Sequence, residues 1–191
     1  ATVTNGGSRA TARARIAAPE KDEPRLGFEV RRGALNADDR WCRRVAQLLE
    51  DCWADGAALD RGVLDDGVAR KVEVLVTCES DDGGVEDCAL LAASAAIASL
   101  ENTPLVLHAA PLTCAVTEDG AVLADPSIDE ASGCARVTVV VGVDRVNGVA
   151  SDAPLLKVAV AGAMPAAALE RCVALASKRA ATIPWPHAMA D

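Results

Sequence analysis

The chain has very few aromatic side chains. Of its 191 residues, none is tyrosine, one is phenylalanine and three are tryptophan, whereas hydrophobic residues make up 51%. A core for one domain of this length must therefore be built mainly from alanine, valine and leucine. RNA-binding modules that stack bases on exposed aromatic rings are disfavoured, because the chain offers too few flat faces for them.

The sequence also lacks paired metal-binding motifs. Its seven cysteines are scattered, none of them in a C-x-x-C pair, and the only histidines are His108 and His187. This pattern disfavours a zinc site, and we expect no metal and no cofactor. Cysteines on apolar faces behave as small hydrophobic residues, and their use here is typical of a protein in a reducing compartment.

An excess of positive charge is missing as well. The formal charge is −9, from 28 acidic residues against 19 lysines and arginines, which argues against a broad nucleic-acid-binding surface. Arginine is nevertheless concentrated early, with nine arginines in the first 44 residues. No uninterrupted apolar run reaches membrane-spanning length and no signal-peptide pattern opens the chain, so we expect a soluble protein without membrane contacts.

The stretch from Lys71 to Leu100 organises the chain. Alternating apolar and polar residues over Lys71–Glu79 predict a strand with one buried face. An Asp-Asp-Gly-Gly turn then leads into a helix predicted over Cys88–Leu100, with Asp87 accepting the free amides at its start. Because this helix is apolar on nearly every side, we expect sheet or helices to cover it all round.

The rest of the chain predicts an α+β fold, in which helices pack on a mixed sheet. Helices are predicted over Asp38–Asp55 and from Pro165 onward, and a hairpin over the first 18 residues is predicted to turn Ile16 inward. Residues 57–67 are predicted as a loop, and short strands follow the central helix: Leu105–His108, Leu112–Thr117, Ala121–Ala124, Ala135–Val143 and Leu155–Ala161. An unpaired sheet edge at the hairpin predicts that the isolated chain needs a partner.

Three groups of residues are candidate sites, and each has a structural alternative. An acidic cluster offers oxygen ligands for Mg²⁺, although a solvated turn with a helix cap is the simpler explanation of its members: Glu79, Asp81, Asp82, Glu86 and Asp87. His108 stands alone in a strand, which favours a structural residue over a base. One face of the first helix carries guanidinium groups that suit RNA phosphates, with a solvated surface or a subunit contact as the alternative: Arg40, Arg43 and Arg44.

Several motifs resemble the RNase PH family in order and spacing, above all the ring subunits of the RNA exosome. They are Asp82–Ala89 with the alanine-rich helix after it, Pro104–Leu105, Leu112–Val116, Val122–Ser127, Ala135–Val139 and Leu169–Ala176. The resemblance implies an RNase PH-like fold, of the ribosomal protein S5 domain 2-like kind, over residues 1–182 with an incomplete N-terminal strand. Residues 183–191 are predicted to form a Pro-rich tail, loose or laid on a partner.

The resemblance also implies partners and a location. Members of the family assemble as rings, so we expect a hetero-hexameric ring with other RNase PH-like subunits, together with cap proteins, associated exoribonucleases and RNA. The expected location is the nucleus, including the nucleolus, and the cytoplasm. The implied role is RNA processing and degradation from the 3′ end.

The same resemblance implies a subunit without catalytic residues. Active relatives carry an aspartate just before the strand that matches Ala135–Val139, and the corresponding residue here is Cys134, whose thiol is a poor substitute for a carboxylate. The family's arginine-rich phosphate segment has no clear counterpart between Gly27 and Arg40. We therefore expect a non-catalytic ring subunit. The alternatives are an active phosphate-dependent 3′-to-5′ exoribonuclease and a small-molecule enzyme of similar fold.

Overall fold

The computed structural model describes residues 1–19, 25–33, 39–53, 58–64, 70–145, 147 and 153–185. The strands in these ranges are β1 (Thr2–Asn5), β2 (Ser8–Ala17), β3 (Leu26–Arg32), β4 (Lys71–Ser80), β5 (Leu107–Val116), β6 (Val122–Ala124), β7 (Ala135–Asp144) and β8 (Leu155–Ala161). The helices are α1 (Asp39–Trp53), α2 (Arg61–Leu64), α3 (Val85–Ala98) and α4 (Ala166–Ala180). None of the described helices is long and apolar enough to cross a membrane.

The strands form two four-stranded sheets, and the predicted α+β class is confirmed. The first sheet has the order β1-β2-β4-β3 and is antiparallel except for the parallel pair β3–β4. The second sheet has the order β6-β5-β7-β8 and is antiparallel throughout. Helix α3 contacts β2 and β4 of the first sheet and β5 of the second, so it lies between the two. Helix α1 packs on β3 and reaches β8, whereas α4 covers β5 and β7.

The organising strand is present as predicted, one residue longer at its end. Its buried face consists of Val72, Val74, Val76 and Cys78, all fully buried, and the residues between them are half-buried. The hairpin formed by β1 and β2 is also present, but Ile16, which the alternation turns inward, is 40% exposed near the end of β2. The period-two pattern thus predicts which face of a strand is covered, but not how far along the strand the cover extends.

The central helix begins three residues earlier than predicted. Because α3 starts at Val85, Asp87 lies inside its first turn and does not cap the helix. The Asp81 carboxylate instead accepts hydrogen bonds from the amides of Gly83 at 2.8 Å and Val85 at 3.4 Å. The predicted cap was wrong because local spacing cannot show that the second sheet offers Asp87 other donors. As predicted, the helix is buried on nearly every side.

Two strands predicted on either side of Pro111 form a single strand, β5, which runs through the proline. Proline has no amide donor, so it is tolerated in a sheet where a strand has an open side. Pro111 lies opposite Val140 of β7, while β6 pairs only with Cys114–Val116. At Pro111 the strand therefore has a described neighbour on one side only.

The first helix and the end of the chain complete the core. The Trp53 ring of α1 stacks on Phe28 of β3, with 5.4 Å between the ring centroids. The region predicted as a loop contains the short helix α2.

Trp185, in the predicted tail, stacks on His108 of the same chain at a centroid distance of 4.4 Å. The tail therefore begins by packing on the domain, and its remainder, residues 186–191, lies outside the described residues.

Candidate functional site

A cleft opens where α1, the first turn of α3 and the edge of the second sheet meet. It has a volume of about 220 Å³, and its walls are Arg44, Leu48, Glu86, Arg136, Thr138 and Ala159–Ala161. The apolar stripe of α1, which includes Val45 and Leu49, is buried in the core. Residues one turn apart on the adjoining face of this helix, Arg44 and Leu48, are therefore directed toward the second sheet.

Two guanidinium groups and one carboxylate set the charge of this cleft. Arg44 of α1 donates a hydrogen bond to Glu86 of α3, so these two charges form an ion pair. Arg136, at the start of β7, donates to the carbonyl oxygen of Gly83 at 3.0 Å. The cleft therefore carries one net positive charge, and Arg136 is its only charged wall residue without an ion pair among the described residues.

A chain of hydroxyl groups runs from the cleft into the core. Thr138 lies in the cleft wall, and its Oγ1 is 3.0 Å from Oγ1 of Thr113 on β5. Thr113 donates from Oγ1 and from its amide to the two carboxylate oxygens of Asp87, each at 2.8 Å. Burial raises the pKa of Asp87 to about 6, although the bonds from Thr113 favour its ionised form. A titratable carboxyl group thus lies behind the cleft, two hydroxyls away from it.

At the N-terminus of α3, next to the cleft, the amides of the preceding turn and of the first helical residue are bound by the protein's own side chains. Besides the amides that Asp81 binds, the amides of Asp82 and Gly84 donate to the Ser8 hydroxyl oxygen, at 2.8 and 3.1 Å. The first turn also carries two carboxylates, on Glu86 and Asp87. Free amides and a positive helix end are what bind a phosphate at a helix start. In this chain, the protein's own side chains hold that position.

The turn before α3 is held tightly by the loop that follows β6. Gly83 has a φ of +105°, and a Cβ at this position would lie 2.2 Å from the carbonyl oxygen of Pro126. Asn5, at the end of β1, donates to both carboxylate oxygens of Asp125 at 2.8 and 2.7 Å. The two sheets are therefore joined beside the cleft through this turn and loop, which positions α3 relative to β7.

The three arginines predicted to bind RNA do not form one group. Arg40 and Arg43 are exposed on the outer side of α1, whereas Arg44 is paired with Glu86 in the cleft wall. Helical spacing placed all three on a polar face, but it could not show that a carboxylate 42 residues later would neutralise one of them. Their role in RNA binding stays a prediction.

The predicted acidic cluster is also divided among separate partners. Glu79 pairs with Arg9 at 2.9 Å, Asp81 caps the turn, and Glu86 and Asp87 bind Arg44 and Thr113. Among the residues that the structure describes, no three His, Cys, Asp or Glu side chains are grouped to hold a metal ion. His108 is fully buried, and its Nδ1 is 3.2 Å from the Ser94 hydroxyl. This environment is that of a structural histidine.

The sequence patterns did not single out the residues that line the cleft from the second sheet. Cys134, matched above to the catalytic aspartate of active relatives, is half-buried in the turn before β7, and its thiol donates to the Glu130 carbonyl at 3.6 Å. The residue of this segment that reaches the cleft is Arg136. A single arginine and two threonines in strands have no local signal, so only the packing of β7 against α3 reveals them.

A larger open groove, of about 690 Å³, lies on the outer face of the first sheet. Its charged side chains are largely paired with one another, as in Arg15 with Glu73 at 2.5 Å and Arg31 with Glu29 at 2.7 Å. Exposed pairs of this kind form a solvated sheet face and contribute little energy. We therefore place the candidate site in the smaller cleft, where buried polar groups converge.

The comparisons with known proteins concern the whole fold. No protein-family model and no curated protein matches the chain. Among solved structures, Rrp46 of rice (Oryza sativa) is similar with a TM-score of 0.72 and 17% identity, over 93% of this chain and 82% of that one. An archaeal exosome core is similar with a TM-score of 0.71 and 18% identity, over 94% of this chain and 76% of that one.

A third similar structure is an Archaeoglobus fulgidus exosome with RNA bound to the active site. Its TM-score is 0.68 at 17% identity, over 94% of this chain and 79% of that one. The agreement extends over nearly all of both sheets and their helices, because more than nine-tenths of the chain is covered in each case. The chain therefore has the RNase PH-like fold of the exosome core subunits.

Proposed function

We propose that the chain is a non-catalytic subunit of an exosome-like ring, where it supports assembly and forms part of an RNA channel for 3′-to-5′ processing and degradation. Its partners in this proposal are other RNase PH-like subunits in a hetero-hexameric ring, cap proteins, associated exoribonucleases and RNA. The proposed location is the nucleus, including the nucleolus, and the cytoplasm. The similarity in fold to rice Rrp46 and to two archaeal exosome structures supports the ring role.

The observation that carries the non-catalytic part is the state of the α3 N-terminus. Phosphorolysis requires a site for inorganic phosphate, and a helix start with free amides is a common one. Here Asp81 and Ser8 accept the amide hydrogens, and Glu86 and Asp87 add negative charge in the first turn. Glu86 also neutralises Arg44, which would otherwise be available to an anion. Phosphate is therefore disfavoured by charge and by the competing acceptors Asp81 and Ser8.

The second candidate, an active phosphate-dependent exoribonuclease, is favoured by a different observation. Arg136 presents a guanidinium in the cleft, and Thr138 connects the cleft through Thr113 to Asp87. A carboxyl group with a pKa of about 6 is suited to donating a proton near neutral pH. In this reading, inorganic phosphate attacks the terminal phosphodiester and the hydroxyl chain delivers the proton to the leaving 3′ oxygen.

One experiment decides between the two. The ring is reconstituted with this chain and with every other candidate active site disabled, and it is incubated with single-stranded RNA in phosphate buffer. We expect no release of nucleoside diphosphates, because the carboxylates at the start of α3 disfavour phosphate there. A ring with one active site restored is the positive control. Phosphate-dependent release that disappears on Asp87→Asn or Arg136→Gln would establish the enzyme instead.

A further inference from the structure

Strand β8 ends the second sheet with an apolar edge. Its only neighbour among the described strands is β7, so one row of main-chain donors and acceptors has no strand partner there. Leu155, Val158 and Val160 are 48%, 36% and 50% exposed. They lie on the face that α4 covers over β5 and β7, but α4 does not extend its main contacts to β8. Within the part of the chain that the structure describes, the edge is therefore open both in hydrogen bonding and in apolar surface.

The usual protections of an edge strand are weak in β8. Natural edges carry prolines, outward lysines or bulges that prevent pairing with another chain. Residues 155–161 contain no proline, and the single lysine, Lys157, is drawn toward α1 by a hydrogen bond of 2.6 Å to Asp51. The register shift opposite Val140 and Val141 disturbs only the start of the strand. Residues 157–161 are left as a regular edge whose single charge is paired with Asp51.

We propose that this edge pairs with the same edge of a second copy of the chain. An antiparallel pair of identical strands has a two-fold axis, and the regular segment Lys157–Ala161 has Ala159 at its centre. With the axis at Ala159, Val158 of each copy lies opposite Val160 of the other, on the apolar face. Lys157 lies opposite Ala161, so no like charges oppose each other across the pair.

A second copy fits this edge better than a strand of different character. The edge is self-complementary in both respects that govern strand pairing, since apolar residues meet apolar residues and its one charge is already balanced within each chain by Asp51. The pairing joins two four-stranded sheets into one of eight strands. Because Ala159–Ala161 also line the candidate cleft, it places the two clefts on either side of the dyad. The dimer rests on this edge alone and does not depend on the ring role.

The position of the axis makes a cysteine cross-link a direct test. In an antiparallel pair, residues directly opposite each other have Cα atoms about 4.5–5.5 Å apart, within the range for a disulfide. We expect the full chain carrying Ala159→Cys to form a covalent dimer under mild oxidation. The matched control is Ala161→Cys, two residues further along the strand and on the same face. Its two copies would be roughly 14 Å apart, so no cross-link is expected.

The second test is the solution mass. Light scattering at micromolar concentration is expected to show a species of about twice 19.6 kDa for the wild type. The double change Val158→Lys and Val160→Lys puts like charges opposite each other and should leave a folded monomer with an unchanged circular dichroism spectrum. Leu123→Lys with Ile128→Lys adds the same charge at exposed apolar residues outside β8, and this variant should remain dimeric.

Three outcomes would overturn the proposal. They are a monomeric wild type, a dimer that survives the two lysines in β8, and cross-linking of the Ala161→Cys chain as efficient as that of Ala159→Cys. If the lysine variant fails to fold, the pair of cysteine variants still decides, because alanine to cysteine is a small change. Phosphate-dependent release of nucleotides by the ring would overturn the proposed function only, so the two proposals can fail separately.

Discussion

The buried carboxyl group of Asp87 makes a prediction with a definite sign. Asp87 is 4% exposed and accepts two hydrogen bonds from Thr113. Burial, aided by the charges of Asp125 and Glu86, raises its pKa from 3.8 to about 6 despite those bonds. The change Asp87→Asn keeps the shape and both contacts, since its amide can accept one bond and donate the other to the Thr113 hydroxyl. It removes the charge and the titration.

The size of the effect on the free energy of unfolding follows from the difference in the Asp87 pKa between the folded and the unfolded protein. The folded protein binds the Asp87 proton more tightly than the unfolded chain, so this group stabilises the fold most at low pH. That contribution is present below a pH of about 3.8 and is lost as the pH rises through about 6. A pKa difference of about 2 corresponds to roughly 3 kcal/mol, as an upper limit. Relative to the wild type, the asparagine variant should therefore gain stability by up to this amount on going from acid to neutral pH.

The assay is urea unfolding of both proteins from about pH 4.5 to about pH 7.5, because subtracting the two free energies cancels the titration of all other groups. Asp51→Asn is the control of opposite sign, since hydrogen bonds from Lys157 and Gln47 lower the pKa of Asp51. There the wild-type advantage is present above the ordinary pKa of 3.8 and declines only below it, so the difference for Asp51→Asn should be flat across this pH range. A difference for Asp87→Asn that is flat with pH, or that runs the other way, would refute the assignment of a raised pKa.

Two further predictions concern the turn before α3 and the surface of α1. Gly83→Ala should destabilise the fold by roughly 3 kcal/mol or more, because it combines a left-handed φ with a contact of 2.2 Å to the Pro126 carbonyl. Gly133→Ala, with a φ of +76° and nothing within 4 Å, should cost only about 1–2 kcal/mol; equal losses in urea unfolding would contradict the close packing. For an assembled ring, weaker RNA binding with a shallower salt dependence is expected after a triple change to Glu at Arg40, Arg43 and Arg44. A ring that no longer assembles would assign the three arginines to a subunit contact. The control for added negative charge is the double change Lys178→Glu and Arg179→Glu on α4.

The strand β4 and the helix α4 show what a local pattern can predict. The alternation over Lys71–Glu79 matches the observed strand to within one residue, and α4 begins directly after Pro165 as expected. Both depend on periodicity and on backbone restrictions, which act between neighbours in the chain. The break predicted at Pro111 was wrong because the effect of a proline on a strand depends on residues that are distant in the chain. Proline interrupts a strand only where a neighbouring strand needs its amide, and that depends on which strands lie beside it.

The candidate site depended almost entirely on long-range packing. Arg44 was singled out from its helix, but its partner Glu86 and the cleft residue Arg136 belong to other elements. Asp87 was assigned a local role as a cap, whereas its donors come from Thr113, 26 residues later. The partners of a polar side chain cannot be predicted from spacing when the competing groups are brought close only by two sheets closing on one helix.

By itself, the sequence determined the α+β class, the strand, turn and helix at the centre of the chain, and the small aliphatic character of the core, because each follows from composition or from a repeat along the backbone. Tertiary structure decided the rest. In the folded chain, the Asp81 carboxylate and the Ser8 hydroxyl accept hydrogen bonds from amides at the start of α3. Burial raises the pKa of Asp87, and the apolar residues at the edge of β8 stay exposed among the described residues. The physical reason is that desolvation and hydrogen bonding act over a few ångströms in space, and α3 brings together residues that are distant in the chain.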